Sequence, residues 1–247
     1  MSSVIQVTSV DYPETDGKPM GETDVHRDEM VREIELLRRY YEDQCAYVSG
    51  NLLVYYKQGN PKRFVVPDVF VVKGLEQQQR RVYKLWVERQ TPDVIVEVTS
   101  RKTKKTDTIT KPKLYCRLGV KEYFLFDPTQ DYLEPSLQGY RLDGDGYQRI
   151  AADARGRLVS KELELRLQAA KGQLMLYRLD TGERLLTERE ARRAAEAERL
   201  AAERARTEAE RVQQAEAAAR RAEAAARQAA EAEVARLREE LRRRDAT

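Results

Sequence analysis

Two carboxylates and a lysine on successive elements are the residues of this chain whose types and spacing fit chemistry. Glu97 lies inside an apolar run of Val94, Ile95, Val96 and Val98. Such a run marks a strand buried on both faces, where an acid persists only if a partner compensates its burial. Asp68 stands at the head of a second run, PDVFVV (67–72), directly after a proline, which a strand tolerates at its first position. Lys111 opens a short helical pattern and is one of five clustered lysines, with Lys102, Lys104, Lys105 and Lys113. Carboxylates on neighbouring strands can hold Mg2+, or Mn2+ in its place, because magnesium prefers oxygen ligands and keeps waters that phosphate oxygens can replace. The ion polarises a phosphodiester and lowers the pKa of a bound water, while a nearby lysine orients that water or neutralises developing charge. Asp93, four residues before Glu97, projects from the same strand face and is a further candidate.

The elements that must position these groups can be read around them. Residues 92–127 predict strand, basic loop, helix and strand, with the helix ending at Gly119 and the second strand over Tyr123–Phe126. Upstream, residues 1–22 read as an extended polar arm. From Thr23 the pattern is helical, with Thr23 or Asp24 as cap and Met30, Ile34, Leu37 and Tyr41 at three- and four-residue spacing. His26, the single histidine, falls in the first turn, where a surface or capping role is the ordinary reading. Tyr47–Tyr56 reads as a strand interrupted at Ser49–Asn51, Phe64–Lys73 as a second, and Val82–Val87 as a third carrying Trp86 as a core anchor. Beyond Asp127-Pro128, short strands at 137–142, 146–150, 156–158 and 174–179, separated by Asp/Gly turns, predict a β-meander beside the first sheet. From about Leu186 onward proline and glycine are absent, and 15 basic residues face 14 acidic ones. That is one long Ala/Arg/Glu helix, supported by propensity and Glu/Arg pairs. Val234, Leu237 and Leu241 fit a and d positions, but Arg227 breaks the heptad, so the expectation is a weak coiled coil or a solvated helix. The boundary is drawn as a catalytic domain over 1–183 and the helix over 184–247.

Composition bounds the rest. A chain of 247 residues can bury one sizeable core with an appendage, and a net charge of +3 does not by itself point to a polyanion. Cys45 and Cys116 lack metal-ligand spacing, and the single histidine excludes multi-histidine zinc sites. There is no leader pattern or membrane-length apolar run, so a cytoplasmic protein that avoids membranes is expected.

These residues also carry a resemblance. PDVFVV, PDVIVEVTS, Asp107 with Lys111 and Tyr115 at steps of four, GVKEYFLFDP, the GETDVH stretch and LQGYRL together resemble the Uma-type restriction endonuclease family, within the PD-(D/E)xK nuclease superfamily. The likeness covers about residues 10–180 and leaves the C-terminal helix outside it. It implies an α/β (α+β) fold: a restriction-endonuclease-like mixed β-sheet core flanked by helices, with a metal-dependent nuclease site at one edge. Carried over, Asp68 resembles the first acid and Glu97 the second, both metal ligands. The lysine usual two residues after the second acid is replaced by Thr99, and Lys111 matches a lysine relocated to the next helix. Asp107, Tyr115 and His26 match supporting positions. Pro112 departs from the pattern; it belongs in a helix's first turn, so the helix is expected to begin near Lys111, with Lys113 the fallback lysine.

The function expected is Mg2+-dependent endonucleolytic hydrolysis of DNA. The alternative is a nuclease-fold binding or assembly module whose C-terminal helix mediates contacts, with homo-oligomers formed with or without that helix. Sugar or nucleotide hydrolysis by an acid pair is weaker, since the lysine-rich helix has no role there.

Overall fold

The structure, a computed structural model, describes residues 10–17 and 23–245. Parts of the expected arm (1–9 and 18–22) and the Gly21–Glu22 end of the GETDVH stretch lie outside the described residues. The chain divides into two units, one ending at Thr187 and one beginning at Glu188.

The first unit is mixed α+β. Its opening elements are α1 (Asp24–Tyr40), β1 (Ala46–Ser49), β2 (Val54–Tyr55), β3 (Phe64–Val65), β4 (Val69–Lys73), β5 (Tyr83–Lys84), α2 (Leu85–Glu88) and β6 (Val94–Val98). Next come α3 (Lys111–Leu118), β7 (Glu122–Phe126), β8 (Leu137–Asp143), β9 (Gly146–Arg149), β10 (Leu158–Ser160), β11 (Leu165–Ala170) and β12 (Gln173–Arg178). The central sheet has six strands in the order β1-β4-β6-β7-β8-β9; only β6 and β7 run parallel. A parallel pair needs a crossover, and the segment carrying α3 supplies it.

Alternation assigns the faces. Val94, Val96 and Val98 pack with Val69, Val71, Phe124 and Phe126 against Leu36 and Leu37 of α1 and the leucines of β11 and β12. Ile95 faces the other way, with Phe70, Tyr123, Leu125, Tyr115 of α3, and Val54 and Tyr83 of the small β3-β2-β5 sheet. Both faces of the sheet are therefore covered, which explains the nearly unbroken apolar runs.

Several predicted elements are divided differently. The interrupted strand over 47–56 is two strands in different sheets, because β1 ends at the Gly50 crossing and β2 joins β3 and β5. The run 64–73 breaks at Pro67-Asp68, where a proline cannot donate to a ladder. Val82–Val87 is a two-residue strand that turns into α2, and Trp86 is half-buried against Tyr12 rather than anchoring a core. The meander is not a separate layer throughout: β8 and β9 extend the central sheet, and only β10-β11-β12 forms a second one.

The second unit is α4 (Glu188–Asp245), a 58-residue helix with i,i+4 pairs such as Arg206–Glu210 and Arg227–Glu231. Val212, Val234, Leu237 and Leu241 are exposed on it. No helix among the described residues is long and apolar enough to cross a membrane.

Candidate active site

Antiparallel pairing sets the two acids side by side. In the β4–β6 register Val69 faces Val96 and Phe70 faces Ile95, so one step further Asp68 meets Glu97. Asp68 N–H donates to Glu97 Oε2 at 3.3 Å, and Asp68 Oδ2 accepts from Val98 N–H at 2.8 Å. The chain reaches this point only because residue 50 is glycine. A Cβ there would stand 1.9 Å from the Asp68 carbonyl oxygen and 2.8 Å from Ile34 Cδ1. The same α1 that carries Ile34 delivers His26, buried one turn after its Thr23 cap, with Nε2 3.3 Å from Asp68 Oδ2.

The lysine arrives from the crossover. α3 begins at Lys111 with Pro112 in its first turn, as expected, and is preceded by helical backbone from Lys104 in which Thr106–Thr110 form a π-turn. In that wider turn Lys111 N–H bonds to Thr106 O. A π-turn leaves room in the i→i−4 ladder, so Pro112, which has no N–H to give, is carried inside a continuous helical path. Gly119, at φ 81°, caps α3 in the left-handed conformation. Lys111 Nζ thereby lies 2.7 Å from Glu97 Oε2 and 3.0 Å from Asp107 Oδ1. One turn on, Tyr115 OH donates to Glu97 Oε1 at 2.6 Å. Asp107, Lys111 and Tyr115, spaced by four, form one ladder against Glu97.

Burial and charge set the protonation states. Glu97 has no exposed surface, and burial pushes its carboxyl well above the usual range despite Lys111. Asp68 is also disfavoured by burial, but the His26 hydrogen bond and Lys111 outweigh this and hold it below the ordinary value. Burial raises Asp107 as well. For Lys111 burial works against the ammonium, yet Glu97, Asp107 and Asp68 overcome it and push its pKa up. A lysine held so firmly charged is no general base; it stabilises negative charge. Burial and Glu97 together keep the Tyr115 hydroxyl protonated.

Two of the sequence candidates are not brought into this cluster. Asp93 precedes β6 at its far end, roughly 13 Å of strand from Glu97, where Lys121 pairs with it at 2.7 Å and Lys73 N–H donates to it at 2.7 Å. Lys113 is exposed and makes no ion pair among the described residues. Sequence reasoning gave no role to Asp127, fully buried directly after β7 and just before Pro128 and Thr129. Its one sequence signal is the Asp-Pro-Thr turn following an apolar strand. A cleft of about 590 Å³ opens over Asp68, His26 and Lys111, and Thr99, Arg101 and Lys102 also line it.

The profile of the family described as "Putative restriction endonuclease", Uma2, matches residues 16–174. The chain belongs to the Uma2 family. It is also similar to a solved structure, that of "a putative nuclease belonging to DUF820 from Anabaena variabilis ATCC 29413", at 15% identity and a TM-score of 0.47, covering 66% of this chain and 92% of that one. No curated protein matches.

A restriction-endonuclease-like Uma2 protein implies a divalent cation, and the donor set can be tested against it. Among the described residues no three His, Cys, Asp or Glu side chains are grouped for a metal. The protein offers two adjacent carboxylates, Asp68 and Glu97, and no Asp68 Oδ1 hydrogen bond is formed among the described residues. Magnesium is ordinarily held by one or two carboxylates, with waters and substrate phosphates completing its shell. The residues fit the ion.

Proposed function

We propose that this Uma2 protein is a divalent-metal-dependent nuclease that hydrolyses phosphodiester bonds in DNA. The observation that carries the reading is the convergence of Asp68, Glu97 and Lys111 from three separate elements: Asp68 and Lys111 line one cleft, and Glu97 is buried beside them, 2.7 Å from Lys111. Asp68 and Glu97 hold Mg2+, with Mn2+ able to replace it. The ion would supply Lewis-acid polarisation of the phosphate and a more acidic water. His26 holds Asp68 ionised and fixes its orientation through Oδ2, while Tyr115 fixes the orientation of Glu97 through Oε1. Lys111 remains an ammonium through the working pH range and neutralises charge gathering on the phosphate oxygens. Asp107, 3.0 Å from the same ammonium, helps hold it in place. Purified protein with Mg2+ should nick or linearise plasmid DNA, and Asp68→Ala and Glu97→Ala should each abolish this. Cleavage surviving both substitutions would refute the assignment.

A second reading is favoured by the exposed Val212, Val234, Leu237 and Leu241 on α4. In it the nuclease-like unit is a binding or assembly module and α4 mediates protein contacts. Size-exclusion chromatography with light scattering on the full chain and on residues 1–185 separates the readings. Unchanged subunit number on truncation removes α4 as the assembly element.

A further inference from the structure

Beyond the acids and lysine, the same cleft carries a second built feature. The Asp127 carboxylate accepts five hydrogen bonds: from Thr129 N (3.1 Å) and Oγ1 (2.9 Å), Gln130 N (3.1 Å), Tyr132 N (2.5 Å) and Leu133 N (3.0 Å). A buried carboxylate satisfied by so many local donors freezes the loop around it. That loop places Thr129 and Tyr132 on the cleft. Tyr132 is half-buried and takes part in none of the ring–ring contacts among the described residues, unlike Tyr12, Tyr55, Tyr115 and Tyr123. An aromatic ring held rigidly beside a cleft, with no ring against it, is a stacking surface.

Charge on the cleft is equally particular. Arg101 and Lys102 line it, Lys104 and Lys105 continue the run, and all four are exposed without an ion pair among the described residues. Leu53 and Val66 give the cleft apolar surface. Its volume of about 590 Å³ falls within the span of small-molecule pockets, roughly 300–1,000 Å³. A nucleotide fits that space; a duplex does not enter it, and its bases, already stacked, present no face to Tyr132.

We propose that the cleft takes one unpaired nucleic-acid strand, with a base stacked on Tyr132 and the phosphates against the Arg101–Lys105 run. The substrate is then single-stranded or locally unpaired DNA rather than an intact duplex. This rests on the phosphodiester-hydrolysing reading of the same site. Base–aromatic stacking tolerates any base and is worth about 5–100-fold in affinity, and each phosphate contact adds about 0.7 to the single-strand salt slope.

The test is fluorescence anisotropy of a labelled single strand and of its duplex, with Ca2+ in place of Mg2+, followed by Mg2+-dependent cleavage of duplexes with and without an unpaired flap. The single strand should bind at least about 10-fold tighter. Tyr132→Ala should lose about 5–100-fold of that affinity, and Tyr132→Phe should keep it. Arg101→Ala with Lys102→Ala, both at exposed positions, should lower the log–log salt slope by about 1.4. Duplex binding as tight as the single strand, or single-strand affinity indifferent to Tyr132→Ala in a protein with unchanged thermal unfolding, overturns the proposal. Equal cleavage of paired and unpaired DNA overturns it while leaving the nuclease reading intact. Absence of cleavage with a Tyr132-dependent single-strand preference defeats the hydrolytic reading and retains the strand site.

Discussion

Removing Lys111 tests how the buried acids are held. In Lys111→Met the alkyl stem stays, but the ammonium that touches Glu97 at 2.7 Å and Asp107 at 3.0 Å is gone. Glu97 and Asp107 are fully buried, so neither recovers solvation, and breaking a buried pair from one side costs about 3–5 kcal/mol. A ceiling applies, because Glu97 can escape by binding a proton. From an unfolded pKa near 4.3, protonation at pH 7 costs at most about 1.36 × 2.7, or about 3.7 kcal/mol. The expected loss at pH 7 is therefore about 3 kcal/mol. Its pH dependence has a definite sign. Without Lys111 the Glu97 pKa is raised further in the folded state, so the folded protein binds more protons than the unfolded chain. In the parent Glu97 already lies well above the usual carboxylate range, so the stability of the variant relative to the parent falls as pH rises above that raised value, by at most about 1.4 kcal/mol per pH unit. Urea unfolding followed by circular dichroism at pH 5, 7 and 9 measures this, and Glu97→Gln in the same chain should remove most of the pH dependence. A loss under about 1 kcal/mol that does not change with pH would refute the claim that Lys111 compensates Glu97.

Three further outcomes follow from the geometry. Gly50→Ala sets a methyl 1.9 Å from the Asp68 carbonyl, so the backbone must move; the cost is about 2 kcal/mol or more, read as a Tm drop of at least about 4 °C by calorimetry together with reduced cleavage. Asp153, held down to about 2 by the Arg157 N–H, the Arg155 N–H and the Arg157 guanidinium, contributes stability above its unfolded pKa that is lost as pH falls through about 2; carboxyl NMR should place its midpoint well below the ordinary aspartate value, and a midpoint near 3.9 would contradict this. Residues 1–185 should keep the thermal unfolding of the first unit, because α4 is a separate compact unit.

Much of the site was legible because burial makes polar residues conspicuous. An acid in a strand that must be covered on both faces needs a partner, and Glu97 has Lys111 and Tyr115. The family resemblance singled out Asp107, Lys111 and Tyr115 at steps of four, and the structure sets them on one side of Glu97 as a ladder. Gly119 marked the end of α3, and the Ala/Arg/Glu tail could only be helix. What stayed hidden depends on pairing rather than on local pattern. Asp93 looked equivalent to Glu97 by alternation, but the strand begins at Val94 and alternation carries no meaning before it. Pro112 marked the start of α3 at Lys111, but the π-turn leading into it is invisible to a 3.6-residue period. Trp86 was read as core because the two-residue strand β5 and the first turn of α2 imitate a single alternating strand. His26 carried no sign of burial apart from sharing a helix face with Met30 and Leu37, and Asp127 none apart from the turn it heads.

The proposed nuclease site requires that Asp68 and Glu97 jointly hold a divalent cation. Isothermal titration of Mn2+ into the full chain, repeated with Asp68→Asn and Glu97→Gln, tests this. One site is expected in the parent protein, lost in both variants while each remains folded. A site of unchanged affinity in either variant would contradict it.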